Sequence, residues 1–441
     1  MSRGVSRRTA ATATASAGVL ARLAPAEVPG PEWLAPLRRA ALSWVGEHGF
    51  PTRKHEDWRY TALEPILGSA YEPATTADTA RVDATTVAGR APELGGPRLV
   101  LVNGHFRADL SDLGGLPRGA IVTDLADALQ EHRALLEPVL AADGQWHAFA
   151  AINQALTPDG VFVRLSEGVR LPAPLHLVFV SDTQGAALLS CPRSVFLLEP
   201  DSQAQLVETH IGIDGDLHCT NAVTDVRLGR GAVLEHYKIQ DEPLTAHHLA
   251  LLDVRQEGKS SFSSHSTMLG AAIARQEVRV LLGGEGATAS LDGLYLPTGE
   301  QVHDNTVFVD HATAGCASRQ LYKGALAGHS RAIFNGHIMV RQGADETDAH
   351  QTNKNLLLSD RAEADTRPRL EIYADDVKCT HGAAVGQLDE QAVLYLRSRG
   401  IDRASARRLL VRAFIQEMLD RVALAPVREH VRALLDGRSK Q

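Results

Sequence analysis

Short apolar runs separated by Gly, Asp and Ser turns fill the middle of the chain. Between Gly160 and about Gly386 they are Val161–Leu165, Leu175–Val180, Ser194–Leu198, Ala204–Glu208, Ala232–Ile239, His248–Val254, Gln276–Leu282, Ile338–Arg341 and Leu370–Tyr373. Each has the length and composition of a strand, and no helix-length periodicity interrupts them. A repeat runs through the same stretch. Asp201-Ser-Gln-Ala-Gln, Gly231-Ala-Val-Leu-Glu, Gly258-Lys-Ser-Ser-Phe, Gly286-Ala-Thr-Ala-Ser and Gly328-His-Ser-Arg-Ala each open a run, at intervals of 30, 27, 28 and 42 residues. This spacing suits a right-handed parallel β-helix or related solenoid, in which each coil stacks its apolar faces on the next. A β-sandwich is the competing reading.

The flanks have a different rhythm. Leu37, Ala41, Trp44 and Val45 fall at helical spacing after Pro36 and before Gly49; Arg98–Asn103 reads as a buried strand ending in the turn Asn103-Gly104. Asp124–Leu140 and Trp146–Leu156 read as helices, the second stopped by Pro158. Near the C-terminus Asp389 can cap a helix to Arg399, with Gly400 ending it. Asp402 can cap a longer helix carrying the apolar stripe Ala406, Leu409, Leu410, Ala413, Phe414, Met418 and Leu419, and Pro426 starts a third that ends near Gly437. The expected organisation is mainly β: a tail over 1–30, an N-terminal α/β domain over 31–160, a β-helix core over 161–386 and a C-terminal helical domain over 387–441.

Composition narrows the function classes. The 441 residues are 44% hydrophobic and 22% charged, with a net charge of −8. That balance argues against a nucleic-acid partner, which leaves a basic footprint. No apolar run of membrane-spanning length occurs. The four cysteines, Cys191, Cys219, Cys316 and Cys379, are scattered, so the expected compartment is reducing and cytoplasmic, and no local sequence supplies a four-thiolate cluster site. The stretch before Glu27 carries Arg3, Arg7, Arg8 and Arg22 and no acid. A transit peptide shares that composition, but a disordered tail fits better with the Ala, Arg and Gly usage of the whole chain.

Several motifs fail on context. Gly258-Lys259-Ser260 ends like a phosphate-binding loop, yet Asp253 occupies the position of the required upstream glycine and β-rich sequence follows. His303-Asp304…Asp310-His311 with Cys316, and His210 with His218-Cys219, raise a second reading, a metal-dependent β-solenoid hydrolase or lyase. Cys379-Thr-His381-Gly is different. A thiol and an imidazole two apart on a strand project from one face and supply half of a site for iron or a nascent cluster; the other half would have to come from another chain.

The run from Asp348 to Glu390 (Asp348-Ala-His-Gln-Thr-Asn-Lys-Asn … Lys378-Cys-Thr-His-Gly … Gly386-Gln-Leu-Asp-Glu) and the following Tyr395-Leu-Arg-Ser-Arg-Gly-Ile resemble the C-terminal core of the SufB/SufD family. Lys54-His-Glu-Asp-Trp-Arg-Tyr-Thr resembles that family's N-terminal Trp-x-Tyr-Thr element. The resemblance spans nearly the whole chain from about Pro31 onward, and Gly386-Gln-Leu-Asp-Glu places it on the SufD side. It implies a non-catalytic scaffold of iron–sulfur cluster assembly, built as a right-handed parallel β-helix between an N-terminal domain and C-terminal helices. It also implies pairing with SufB through the β-helices and binding of the ATPase SufC through the helical region. A transient cluster would form at the SufB–SufD interface, with His381 a ligand and Cys379 beside it. A flavin is associated with the family's complex, but no flavin motif occurs here and none is assigned. A homodimer of the isolated chain stays open.

Overall fold

The computed structural model describes residues 28–79, 81–141, 147–213, 215 and 217–438, with Gly18 and Leu23. The reading of the Arg-rich stretch before Glu27 otherwise lies outside the described residues.

Among the described residues four strands precede the coils: β1 (Glu72–Pro73), β2 (Arg98–Val102), β3 (His105–Phe106) and β4 (Ala120–Asp124). The first coils are β5 (Gly160–Leu165) with β6 (Leu175–Ser181), the short β7 (Leu188–Ser190), β8 (Arg193–Leu198) with β9 (Gln203–Gly212), β10 (His218–Leu228) with β11 (Val233–Asp241), and β12 (His247–Gln256) with β13 (Ser261–Met268). The later coils are β14 (Ile273–Leu282) with β15 (Thr288–Tyr295), β16 (Val302–His311) with β17 (Ala317–Leu326), β18 (Arg331–Val340) with β19 (Thr347–Leu357), and β20 (Glu363–Ile372) with β21 (Val377–Gln387). The first strand of each pair joins one sheet and the second joins the other, in the orders β4-β5-β8-β10-β12-β14-β16-β18-β20 and β3-β2-β6-β9-β11-β13-β15-β17-β19-β21. From β5 onward every pairing is parallel to the next coil. This is a β-solenoid of about eight turns.

Register explains why the coils stack. Leu252, Val278 and Val307 lie side by side on β12, β14 and β16, as do Val254, Val280 and Val309, all buried. Each such side chain contributes about 1.5–3 kcal/mol by burial, and the ladder repeats it coil after coil. The turns stack as well. Asp201, Gly231, Lys259, Gly286, Gly315 and Glu346 all have φ between 58° and 71°. The N–H of each donates to a carbonyl of the next coil, from Asp201 to Arg230 O through Glu346 to Asp376 O. The steps between them run 30, 28, 27, 29 and 31 from Asp201 to Glu346, so the true period is more regular than the one expected. Lys259, not Gly258, takes the left-handed position, and Gly328 belongs to the turn at the opposite edge, where the N–H of the following His329 donates to Gly299 O.

Several strands exceed the apolar runs that announced them; β13 and β15 were marked by the glycine-led segments that open them, and β10, β16, β17 and β19 had no such run. These strands put His, Ser, Thr, Asn and Gln inside the coil, which removes the hydrophobic alternation. Asp124–Leu140 is broken at His132 into Leu125–Glu131 and Arg133–Leu140. Ala35–His48 ends at Gly49 (φ 70°) as expected, and Asn103-Gly104 turns β2 into β3 with both residues at positive φ.

The flanking helices cover the two sheets. Ala41 and Val45 of the helix Ala35–His48 join Phe149 and Ile152 of the helix Ala148–Leu156 over Leu189, Cys191, Cys219, Leu249 and Ile273 of the first sheet. At the other face, Ile415, Met418, Leu419 and Val422, with Val427, Val431 and Leu435 behind them, pack on Tyr237, Ile239, Leu269, Leu294 and Leu321. The buried row of the helix Arg403–Asp420 is therefore Ala406, Ile415, Met418 and Leu419, while Leu409 of the expected stripe is 47% exposed. Lys323 Nζ donates to Phe414 O (2.9 Å), His265 Nε2 lies 3.0 Å from Met418 O, and Arg421 pairs with Asp292 (2.9 Å).

Candidate metal centre on the last coil

β20 and β21 close the solenoid without a following coil, so each pairs on one side only. Along β21 the inward face continues that of β19: Cys379 stands beside Ala349, and His381 beside Gln351. Ala349 and Gln351 are buried because β21 covers them; nothing covers β21, and from Thr380 to Gln387 its residues are exposed. Cys379 is half-buried against the cluster Ile338, Val340, Ala344 and Ala349, on which Leu370 and Val377 also pack. Burial pushes its thiol up from its ordinary pKa, so the sulfur of the free chain is protonated near neutral pH. Metal binding would release that proton. The outward face of the strand is tied down: Thr380 Oγ1 lies 2.6 Å from His350 Nδ1, and His350 Nε2 lies 2.9 Å from Asp348.

Cys379 and His381 thus share a face, as alternation requires, at the exposed rim of the solenoid. Among the described residues no group of three or more His, Cys, Asp and Glu side chains is arranged to hold a metal. As a metal site the pair would be incomplete. A thiolate and an imidazole suit iron or zinc, and closure to four-coordination requires groups from elsewhere.

The other histidine groupings do not form metal sites among the described residues. His303 faces the interior, its Nε2 3.0 Å from Gly270 O; Asp304 faces outward and takes bonds from Arg275 and Thr61. Asp310 pairs with Arg341 (2.6 Å), His311 Nε2 meets Ser318 Oγ (2.9 Å), and Cys316 lies against Gly284 O (3.4 Å). Cys219 packs outside the coil with Cys191, on the opposite face of β10 from His218. The set needed by the hydrolase or lyase reading is therefore not assembled at either grouping. Gly258-Lys259-Ser260 is a solenoid turn, with Lys259 N–H donating to Glu285 O (2.9 Å).

Inside the coils lies a charged cluster that apolar periodicity did not reveal. Glu208, His210, His218, His236, Lys238, Glu242 and His248 are all buried. Glu242 accepts from Thr220 (2.5 Å) and Gln240 (2.9 Å) and pairs with His248 (2.7 Å); Glu208 accepts from Thr224 (3.0 Å). Lys238 Nζ donates to Gln276 (2.7 Å). Burial alone would push Glu242 up, but the His248 imidazole outweighs it and holds the carboxyl well below the usual range. The signal was present in the sequence: His236, Lys238 and Gln240 alternate in step with Leu234, and so face the interior with it.

The fold is thus a parallel β-solenoid with helices on both outer faces, and Cys379 and His381 stand at its open end. The sequence comparisons show its family. Residues 179–414 match the family described as SUF system FeS cluster assembly, SufBD core domain, and residues 29–177 match the SufBD protein N-terminal region. The chain is 32% identical to the iron–sulfur cluster assembly protein SufD of Escherichia coli over 394 residues, 88% of this chain and 89% of that one. It is 29% identical to a SufBD family protein of Synechocystis over 91% of this chain and 90% of the relative, and 26% identical to SufD of Bacillus subtilis over 73% and 75%. The chain belongs to the SufB/SufD family of the SUF iron–sulfur cluster assembly system.

Proposed function

We propose that this chain is a non-catalytic scaffold subunit that works in the cytoplasm, pairs with SufB along the open end of its solenoid, and carries one copy of the ATPase SufC on its C-terminal helices. The nascent cluster is cargo shared with SufB, held on this side by His381 with Cys379. The reading rests above all on one observation: an 11-residue strand with an unpaired edge carries a thiol and an imidazole on one face. Unpaired edges are templates for another chain, and the half-set of ligands fits completion by that partner. The 161–386 core would provide this edge, the 31–160 domain and the 387–441 helices serving as its flanks. For the ATPase, Leu394 (64% exposed) and Tyr395 lie on the helix Glu390–Ser398, with Leu409 exposed on the next helix and several arginines around them. A flavin has no assigned place here.

The test is the complex copurified from a host making all subunits. His381→Ala should leave its elution volume unchanged and remove most of its iron and sulfide, because alanine cannot coordinate while the strand backbone persists. Cys379→Ala should match that loss if the sulfur ligates, and be milder if it only supports the imidazole. A complex of normal size and full cluster content after His381→Ala would sink the assignment.

A further inference from the structure

Glu56–Thr61 comes from the N-terminal region yet lies across four successive strands of the first sheet. Trp58 is buried, its ring 3.9 Å beneath the Arg275 guanidinium of β14, and Asp57 O accepts from Arg275 Nη1 (3.0 Å). Thr61 donates to Asp304 of β16, which also pairs with Arg275. Asn335 Nδ2 of β18 donates to Asp57 Oδ1 (2.9 Å), and Arg331 at the start of that strand lies over the Tyr60 ring (5.4 Å). Glu56 then reaches β20, where it pairs with Arg367 and stands 3.7 Å from Arg369. The arrangement is in register, with Arg275 beside Asp304 and Asn335 beside Arg367 on neighbouring strands. The buried end of the segment is a firm anchor, and the Glu56 end is the part that touches the terminal coil.

That end matters because β20 has one strand neighbour, and Leu370 on its other face packs on the same buried cluster, Ile338, Val340, Ala344 and Ala349, as Cys379. We propose that Glu56–Thr61 is a splint for the last coil and that Glu56 is a positioning residue. By fixing Arg367 and Arg369 it holds Leu370 in the apolar cluster on which Cys379 also packs, and so sets the strand that carries Cys379 and His381. Its functional meaning rests on the reading of that pair as cluster ligands.

Exposed ion pairs are individually weak, so the effect is expected to be local and of modest size. In the full chain, Glu56→Arg should speed amide exchange across residues 363–387 about fivefold and leave residues 193–326 unchanged. Cys379 is the one cysteine of the four that is not buried, so maleimide labelling reports on it selectively, and its rate should rise by a similar factor. The charge swap Glu56→Arg with Arg367→Glu should restore both readouts to within about twofold. Unchanged exchange and labelling in Glu56→Arg, equal acceleration in every coil, or failure of the swap to restore would each overturn the splint. These measurements need no cluster. Full iron content in a His381→Ala complex would instead refute the ligand reading and leave the splint a brace of the coil alone.

Discussion

At Gly293 a methyl group would run into the ring of Tyr322, a fully buried side chain on the adjacent coil. Gly293→Ala should cost about 1–3 kcal/mol through overpacking, seen as a lower melting temperature; an unchanged melt would mean that the ring has room to move. The same scale shows what sequence could reveal. That Cys379 and His381 share a face follows from strand alternation alone. That one is half-buried and the other exposed does not, because burial on β21 depends on whether another coil follows, and no local pattern encodes that. Glycine recurrence marked the stacked turns, but Lys259 holds the left-handed position between Gly231 and Gly286 (φ 59°), an uncommon choice for a long side chain. A reading keyed to glycine therefore misplaced that turn by one residue.

Most elements with apolar interiors announced themselves; several with polar interiors, β10 and β16 among them, did not. Ser261–Met268 has Phe262 and Met268 as its apolar residues and shows no alternation, yet it pairs along its whole length with Val233–Gln240 on one side and Thr288–Tyr295 on the other. The C-terminal helices were legible through their caps, since Asp389 and Asp402 accept from Gln391 N–H and Ser405 N–H. Their apolar rows were less legible, because the solenoid they pack on is itself a surface that must be known first. This changes how docking is tested. Removing Asp402–Gln441 would strip Met418, Leu419 and Val431 from the second sheet and expose it. Leu394→Asp and Tyr395→Ala touch no buried contact of the core clusters and should leave the melting temperature within a few degrees, while weakening ATPase retention at least tenfold in copurification. Stoichiometric retention by both variants would place the ATPase elsewhere.

Across the whole molecule, burial pushes many histidines down: His147, His210, His218 and His311 to about 4, His176 and His303 to about 3. The folded chain keeps them neutral while the unfolded chain takes up protons below about pH 6.5. Their contribution is complete above that pH and is lost as pH falls toward 4, at roughly 1.4 kcal/mol per histidine per pH unit. Glu208 and Glu242, held low against burial by neighbouring imidazoles, add a further loss below about pH 4.5. The melting temperature should therefore drop by several degrees per unit between pH 6.5 and 4.5, and His210→Gln should flatten that slope. A melt that is level across the range would show that the interior histidines are not neutral. The open end has its own consequence. A solenoid adds coils as a polymer adds units, each templating the next, and this one stops at β21 with its propagating end exposed. Such an end does not discriminate by itself between the intended neighbour and another strand of matching register. If a partner pairs there as proposed, its supply relative to this chain acts as the chain terminator, and colloidal behaviour becomes a matter of stoichiometry.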